Sequence, residues 1–285
     1  MVITGISDEA GRSIDAQIQT HKTLGWDHLE LRLVNDKNVA GELSDTEFNE
    51  VVKAVEENDM KVAGFSSAIG NWSRPIMGDF DQDISDLKIS VIRMKRLGTK
   101  NIRIMSWVGD GVDENVWKTE AIKRCKELAK IAEDAGITLL HENCTGWGGL
   151  SANNMLEIKN EVNSPAFKLL YDIGNVICYG MDPLEFFKTI RGNFDYVHVK
   201  DAKINPAGGK SEDFAYCGKG DAMVEKFLST IILEDGYDGY VSIEPHIAAM
   251  VHKADSGVTE EKKSSSYIEY GKLLIDIIDR IEKNR

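Results

Sequence analysis

The chain has 285 residues, 42% of them hydrophobic and 28% charged, which describes a soluble globular protein long enough to bury a sizeable core. Its formal net charge is −13 and its pI about 5.0, a balance that argues against a nucleic-acid partner, whose phosphates call for a basic surface. No apolar run approaches the roughly 20 residues that span a bilayer, and the N-terminus Met1-Val2-Ile3-Thr4-Gly5 lacks the basic and apolar regions of a signal peptide. The expectation is a cytoplasmic protein with no membrane partner, its four cysteines, none in a C-x-x-C pair, kept reduced.

Residues 2–7 read as a first short strand, with Asp8 and Glu9 at its end. A helix over 14–24 stops at Gly25. Residues 28–32 form a second strand that puts Glu30 and Arg32 on one side of the pleat, placed to pair with each other. Ser44, with Glu47 three residues on, opens a helix through a capping box, and Val51, Val52 and Val55 give that helix its apolar face. Strand three covers 61–67 and is followed by a long link to residue 80 that holds Trp72 and Arg74. A helix over 84–97, a strand over 101–107 and a helix over 114–135 come next. Strand five ends at Glu142, with a helix near 151–162 behind it. Strand six ends at Asp172, and a helix over 183–190 begins with Asp182 as cap and Pro183 in first position. Strand seven ends near His198, and a glycine- and lysine-rich link over 201–221 leads to a helix over 222–233. Strand eight ends at Glu244, followed by a link with His246, His252 and Lys253. Serines 264 to 266 open the last helix, whose stripe of Tyr267, Tyr270, Leu274, Ile277, Ile278 and Ile281 has three-four spacing.

Eight strand–helix units without a break in composition predict an α/β chain folded as a (β/α)8 TIM barrel, a single domain over 1–285. An open doubly wound sheet usually shows a glycine-rich first turn, and Ser7-Asp8-Glu9-Ala10-Gly11 is not G-x-G-x-x-G. In a parallel barrel all strand ends gather on one face, where barrel enzymes keep their active sites. Glu142, Asp172, His198 and Glu244 stand at four successive strand ends, at intervals of 30, 26 and 46 residues. Each alone reads as an ordinary polar strand end; the four together read as one divalent metal site, for Mn²⁺, Mg²⁺, Co²⁺ or Zn²⁺, with positions left for substrate.

The strand-end Glu142, the run Asp172-Ile173-Gly174-Asn175, the run His198-Val199-Lys200-Asp201 and Ile243-Glu244-Pro245-His246 resemble the xylose isomerase-like barrels. Ser7-Asp8-Glu9 and Leu29-Glu30-Leu31-Arg32 add to a resemblance that covers nearly the whole chain. The matching branch holds sugar-phosphate isomerases and epimerases, among them ketose 3-epimerases, hydroxypyruvate isomerase-like and inosose dehydratase-like proteins. The resemblance implies that Glu142, Asp172, His198 and Glu244 bind the metal, and that the protein forms a homodimer or homotetramer. One departure is Asn175, where many epimerases of the family have a histidine that touches substrate; asparagine still hydrogen-bonds a hydroxyl but does not titrate near neutrality. The endonuclease IV branch needs further histidines, which Phe65-Ser66-Ser67 and Met105-Ser106-Trp107 do not offer.

The expected activity is that of a metal-dependent isomerase or epimerase of a small sugar, ketose or sugar derivative, through an enolate. Glu142 and Glu244 are the catalytic pair, one removing a proton and the other returning it. The alternative is a dehydratase or lyase on the same metal site, and a third reading is a non-catalytic sugar-binding barrel. Asn175, Lys200, His246, Trp107 and Trp72 are the expected substrate contacts. Lys200 shares a face with His198 and either grips substrate or salt-bridges a metal carboxylate; His246 bears the same relation to Glu244. The tryptophans, Trp147 included, offer apolar walls to a sugar ring. His141 points away from Glu142, toward the helices. The links 67–80, 201–221 and 246–263 are expected to be mobile covers, the second of them more a lid than a phosphate cradle.

Overall fold

The computed structural model describes residues 1–248 and 257–284. Eight parallel strands make a nearly closed barrel: β1 (Val2–Gly5), β2 (His28–Leu31), β3 (Lys61–Ser66), β4 (Asn101–Ser106), β5 (Thr138–Gly146), β6 (Phe167–Asp172), β7 (Phe194–Val199) and β8 (Tyr240–Ile243). Hydrogen bonding runs in the order β1–β8–β7–β6–β5–β4–β3–β2, and one parallel bridge between Ile6 and Glu30 draws β1 and β2 together. The helices α1 (Ile14–Thr23), α2 (Asp45–Glu57), α3 (Phe80–Leu97), α4 (Glu114–Ala135), α5 (Ala152–Val162), α6 (Pro183–Ile190), α7 (Val224–Ser229) and α8 (Glu260–Glu282) surround it.

Strand alternation sorts the side chains into two cores. Leu139, Leu169, Val197 and Val241 point outward and join the main apolar core between strands and helices. Leu140, Leu170 and Tyr196 point inward and form a separate cluster with Tyr240 that plugs the barrel below the site. Two residues further along the same strands, the inward positions are Glu142, Asp172, His198 and Ser242. The register sets Asp172 beside His198 and His198 beside Ser242. The layering of an ordinary barrel interior therefore brings the polar residues to one level at the carboxyl ends of the strands.

Several elements differ from the sequence reading. The α3 helix begins at Phe80, capped by Asp79, because Phe80 packs edge-on against Trp107 under the Arg124 guanidinium, a tertiary contact. The last helix opens at Glu260, not at the serines: Thr259 accepts from Lys262 N, Glu260 and Glu261 complement the N-terminal dipole, and Ser266 is buried inside the helix. The helix expected over 222–233 is α7 followed by a π-helical turn, Thr230–Glu234. A two-stranded hairpin, Leu33–Val34 with Lys37–Asn38, and a short helix, Asn175–Cys178, were not legible in the sequence.

Two of the three expected covers are fastened. In the link after β3, Met105 N donates to Ile69 O, Trp107 N to Gly70 O and Ile76 N to Val108 O, while Arg74 pairs with Asp83 and Asp86. In the link after β7, the Asp201 carboxylate accepts from Ala202 N, Gly220 N and Ala222 N and so joins the segment's two ends. Of the third, His252 and Lys253 lie outside the described residues.

Candidate metal centre

Glu142, Asp172, His198 and Glu244 are all buried, and one potential ligand atom from each lies within 4.8 Å of the others. The His198 Nε2 is 3.0 and 3.1 Å from the two Glu30 oxygens, which leaves Nδ1 turned to the carboxylates, 3.4 Å from Glu142 Oε1 and 3.8 Å from Glu244 Oε2. Nδ1, fully buried, makes no hydrogen bond among the described residues, and Glu244 Oε2 beside it meets the Lys200 ammonium at 2.8 Å. A buried imidazole nitrogen without a hydrogen bond, turned into a set of three carboxylates, fits a divalent cation.

Glu30 holds that imidazole from below. Besides His198, its carboxylate accepts from Ser66 Oγ at 2.5 Å, Ser242 Oγ at 2.6 Å and Tyr196 Oη at 2.8 Å. The expected pairing of Glu30 with Arg32 does not form. Arg32 turns outward instead, to Asp8 (2.9 Å), Glu9 (3.2 Å) and Glu244 (2.8 Å). Glu30 and Arg32 share a pleat face but stand at different levels of the barrel, so one meets the interior and the other its mouth.

Each carboxylate of the quartet is also tied to a protein cation or amide. Arg103 Nη1 donates to Glu142 Oε2 at 3.0 Å, and Lys200 Nζ stands 3.0 Å from Asp172 Oδ2 and 2.8 Å from Glu244 Oε2. Lys200 also donates to Asn175 Oδ1 at 3.0 Å, and Asn175 Nδ2 donates to Glu142 Oε1 and to the Asn143 carbonyl. Asn175 thus links the quartet's first and second ligands through its own amide. Glycine is required before it, since a Cβ on Gly174 would sit 2.6 Å from the Lys200 backbone. Burial works against the charged imidazolium of His198, yet Glu30 and Glu142 outweigh it and push its pKa up to about 10. Burial raises Asp172 to about 6 against the pull of Lys200. Glu244 is held well below the usual carboxylate range, burial being outweighed by Lys200, His246 and Arg32.

A cavity of about 900 Å³ opens above the quartet. Lys200, Asn175, His246 and Trp72 line it, together with Arg32, Arg103, Cys144 and Cys178. His246 adopts a left-handed backbone (φ 53°), and its ring and backbone N–H are both fixed by Glu9, at 2.8 and 2.7 Å. Trp107, expected as a substrate wall, does not reach the cavity. It is fully buried, donates from Nε1 to Asp83, and packs against Phe80 and Arg124. Its left-handed backbone (φ 56°) turns the ring away from the barrel. Trp147 is likewise buried, under Lys118, and His141 stacks on Phe167 outside the barrel, as its strand parity predicts.

Arg103, Glu9 and Asp8 were missed as site residues in the sequence. The signal for Arg103 was present: a charged residue mid-strand, at the same parity as the cavity-lining Met105. Glu9 and Asp8 carry no such signal, because the short 3-10 turn Ser7–Glu9 breaks strand parity.

The family model described as xylose isomerase-like TIM barrel matches residues 18–264, and the chain belongs to this family. Among curated proteins, an inosose dehydratase from Lacticaseibacillus casei is 23% identical over 130 residues, 42% of this chain and 44% of that protein. The chain spans about half the length of the curated relatives it matches. Among solved structures, an IOLI protein with a bound zinc atom has a TM-score of 0.76 at 17% identity, over 99% of both chains. An L-ribulose 3-epimerase has a TM-score of 0.72 at 14% identity, over 100% of this chain and 97% of that one. At these identities the likeness to solved structures shows the fold.

Proposed function

We propose that this chain is a divalent-metal-dependent enzyme acting on a small polyhydroxylated carbonyl compound, as an isomerase or epimerase that works through an enolate. The observation that carries the reading is the buried quartet in which His198 Nδ1, without a hydrogen bond among the described residues, is turned toward the Glu142 and Glu244 carboxylates. Glu142, Asp172, His198 and Glu244 would hold the cation. Such an ion polarises a carbonyl and makes the neighbouring C–H more acidic. The IOLI structure with a zinc atom, which shares the fold, supports a metal in a barrel of this kind.

The chain's own groups then divide the remaining work. Glu142 on β5 and Glu244 after β8 approach the cavity floor from different strands, so one carboxylate takes a proton and the other returns it. Arg103 and Arg32 fix the orientation of those two carboxylates through bonds of 3.0 and 2.8 Å. Asn175 positions Glu142 through its Nδ2, and His246 and Trp72 meet the rest of the substrate on the cavity wall.

A dehydratase is the second reading, with one specific observation in its favour. The Lys200 ammonium lies among Asp172, Glu244 and Asn175, where it can give a proton to a departing hydroxyl. The inosose dehydratase match agrees with that chemistry. Incubation of metal-loaded protein with ketoses and inososes in deuterium oxide tests both. Deuterium beside the carbonyl with an inverted hydroxyl supports epimerisation; loss of water, followed by ultraviolet absorbance of the unsaturated ketone, supports dehydration. Turnover with no deuterium incorporation would sink the enolate reading in favour of a hydride shift.

A further inference from the structure

We infer that the substrate carries no phosphate or carboxylate: the cavity is built for a neutral polyhydroxylated compound. The inference rests on the reading of this cavity as the substrate site, and concerns its charge balance.

Among the described residues, each buried arginine or lysine that lines the cavity floor is already spent on a carboxylate. Arg32 meets Asp8, Glu9 and Glu244 within 3.2 Å, Arg103 meets Glu142 at 3.0 Å, and Lys200 meets Asp172 and Glu244 within 3.0 Å. The quartet's three carboxylates, with Asp8, Glu9 and Glu30 beside them, make six anions against these three cations. Counting the carboxylate, arginine and lysine groups alone, with a metal-bound His198 neutral, a divalent cation brings that cluster to one net negative charge. A phosphate dianion or a carboxylate placed there would be a buried charge without a partner, or would have to strip a partner from an internal ion pair; both are costly.

The link after β7, where barrels often bind phosphate, is closed to it from within. Its backbone amides, Ala202, Gly220 and Ala222, are already gathered on the Asp201 carboxylate, at 3.0, 2.9 and 3.2 Å. Asp201 is almost fully buried, and a Cβ on Gly220 would lie 2.0 Å from its Oδ1. The chain thus fills its own anion nest with a side chain. At the mouth, Arg12 pairs with Asp36 and Lys263 with Glu260, while Lys210 rests over the Tyr179 ring. A neutral polyol meets no such penalty. Its hydroxyls donate to the carboxylates that make up most of the charged floor, and these bonds to ionised acceptors are the stronger kind.

Calorimetric titration of the metal-loaded protein with matched compounds tests this: D-fructose against D-fructose 6-phosphate, D-ribulose against D-ribulose 5-phosphate, and inosose against 3-dehydroshikimate, whose ring bears a carboxylate. The expected result is at least one neutral ligand that binds tenfold or more tightly than its anionic counterpart. An anionic member that binds as well as or better than its neutral partner would overturn the inference, as would a cavity that takes none of the neutral compounds. Binding separates this outcome from the fate of the proposed reaction. A neutral ligand that binds preferentially yet exchanges no C–H with deuterium oxide leaves the inference standing and removes the enolate reading; exchange confined to the phosphate esters does the reverse.

Discussion

The carboxylate of Glu30 accepts a hydrogen bond from His198 Nε2 at 3.0 Å, from a strand 168 residues earlier in the chain, and so turns Nδ1 toward Glu142 and Glu244. A hydrogen bond to one ring nitrogen of a ligating histidine fixes its tautomer and rotation and raises its basicity. Glu30 is itself saturated by Ser66, Tyr196 and Ser242, so it has no freedom to turn away. Glu30→Gln is therefore expected to weaken divalent-metal affinity by about 10- to 100-fold, read by competition of Zn²⁺ or Mn²⁺ against a chelating dye. Unaltered affinity in a folded variant would show that Glu30 is not a positioning residue.

Glu142→Gln and Glu244→Gln should each abolish turnover, with losses of at least about 10²- to 10⁴-fold, the usual scale for a positioned acid or base. The two should differ in stability. Glu244 is within 2.8 Å of both Arg32 and Lys200, whereas Glu142 meets a single arginine among the described residues, Arg103, besides His198. Glu244→Gln leaves two buried cations short of a partner and should lower the urea midpoint more than Glu142→Gln does. At least one of the pair should still bind metal and a neutral ligand by calorimetry; loss of both kinds of binding in both variants would mean that the carboxylates serve ligation alone.

Asp83 is the anchor of the segment that was expected to be a mobile cover. Its buried carboxylate takes bonds from Gly70 N, Arg74 Nη1 and Trp107 Nε1, at 3.1, 2.5 and 2.8 Å. Asp83→Asn should destabilise the protein by about 3 kcal/mol, the low end for breaking a buried pair because Arg74 is partly exposed, and should speed proteolysis within 67–80. In the unaltered protein that segment should be cut at the same slow rate with and without ligand; protection that appears only with ligand would restore it as a lid.

Acid should destabilise the fold through two buried histidines. Burial lowers both His21 and His141 to about 4, against an unfolded value of 6.5. A depressed folded pKa means that the unfolded chain binds the extra protons between those values, so stability is complete above about pH 6.5 and falls toward pH 4. Neither His141 nitrogen has a partner among the described residues, while His21 bonds the His28 carbonyl and the Tyr267 hydroxyl. His141→Leu should flatten the decline in urea midpoint between pH 6.5 and pH 4. A slope as steep as that of the parent protein would assign the acid sensitivity elsewhere.

The alternation of apolar and polar residues in eight short runs determined the barrel, and strand-end position determined the level at which Glu142, Asp172, His198 and Glu244 meet. Both are local: period-two parity decides which side chains point inward, and parallel strands put their carboxyl ends on one face whatever the loops do. The same parity turned His141 outward onto Phe167. Tertiary structure alone decided which groups those residues touch. Glu30 reaches His198 and Tyr196 because barrel closure brings β2 across from β7, and Arg32 leaves Glu30 for Asp8, Glu9 and Glu244 because the next inward position on that strand already stands at the mouth. Trp107 left the site through a single left-handed residue, and the link after β7 became a filled nest through one aspartate. Such outcomes depend on register, closure and backbone handedness at isolated positions, and these bring together residues far apart in sequence with no pattern in the residues themselves to announce it.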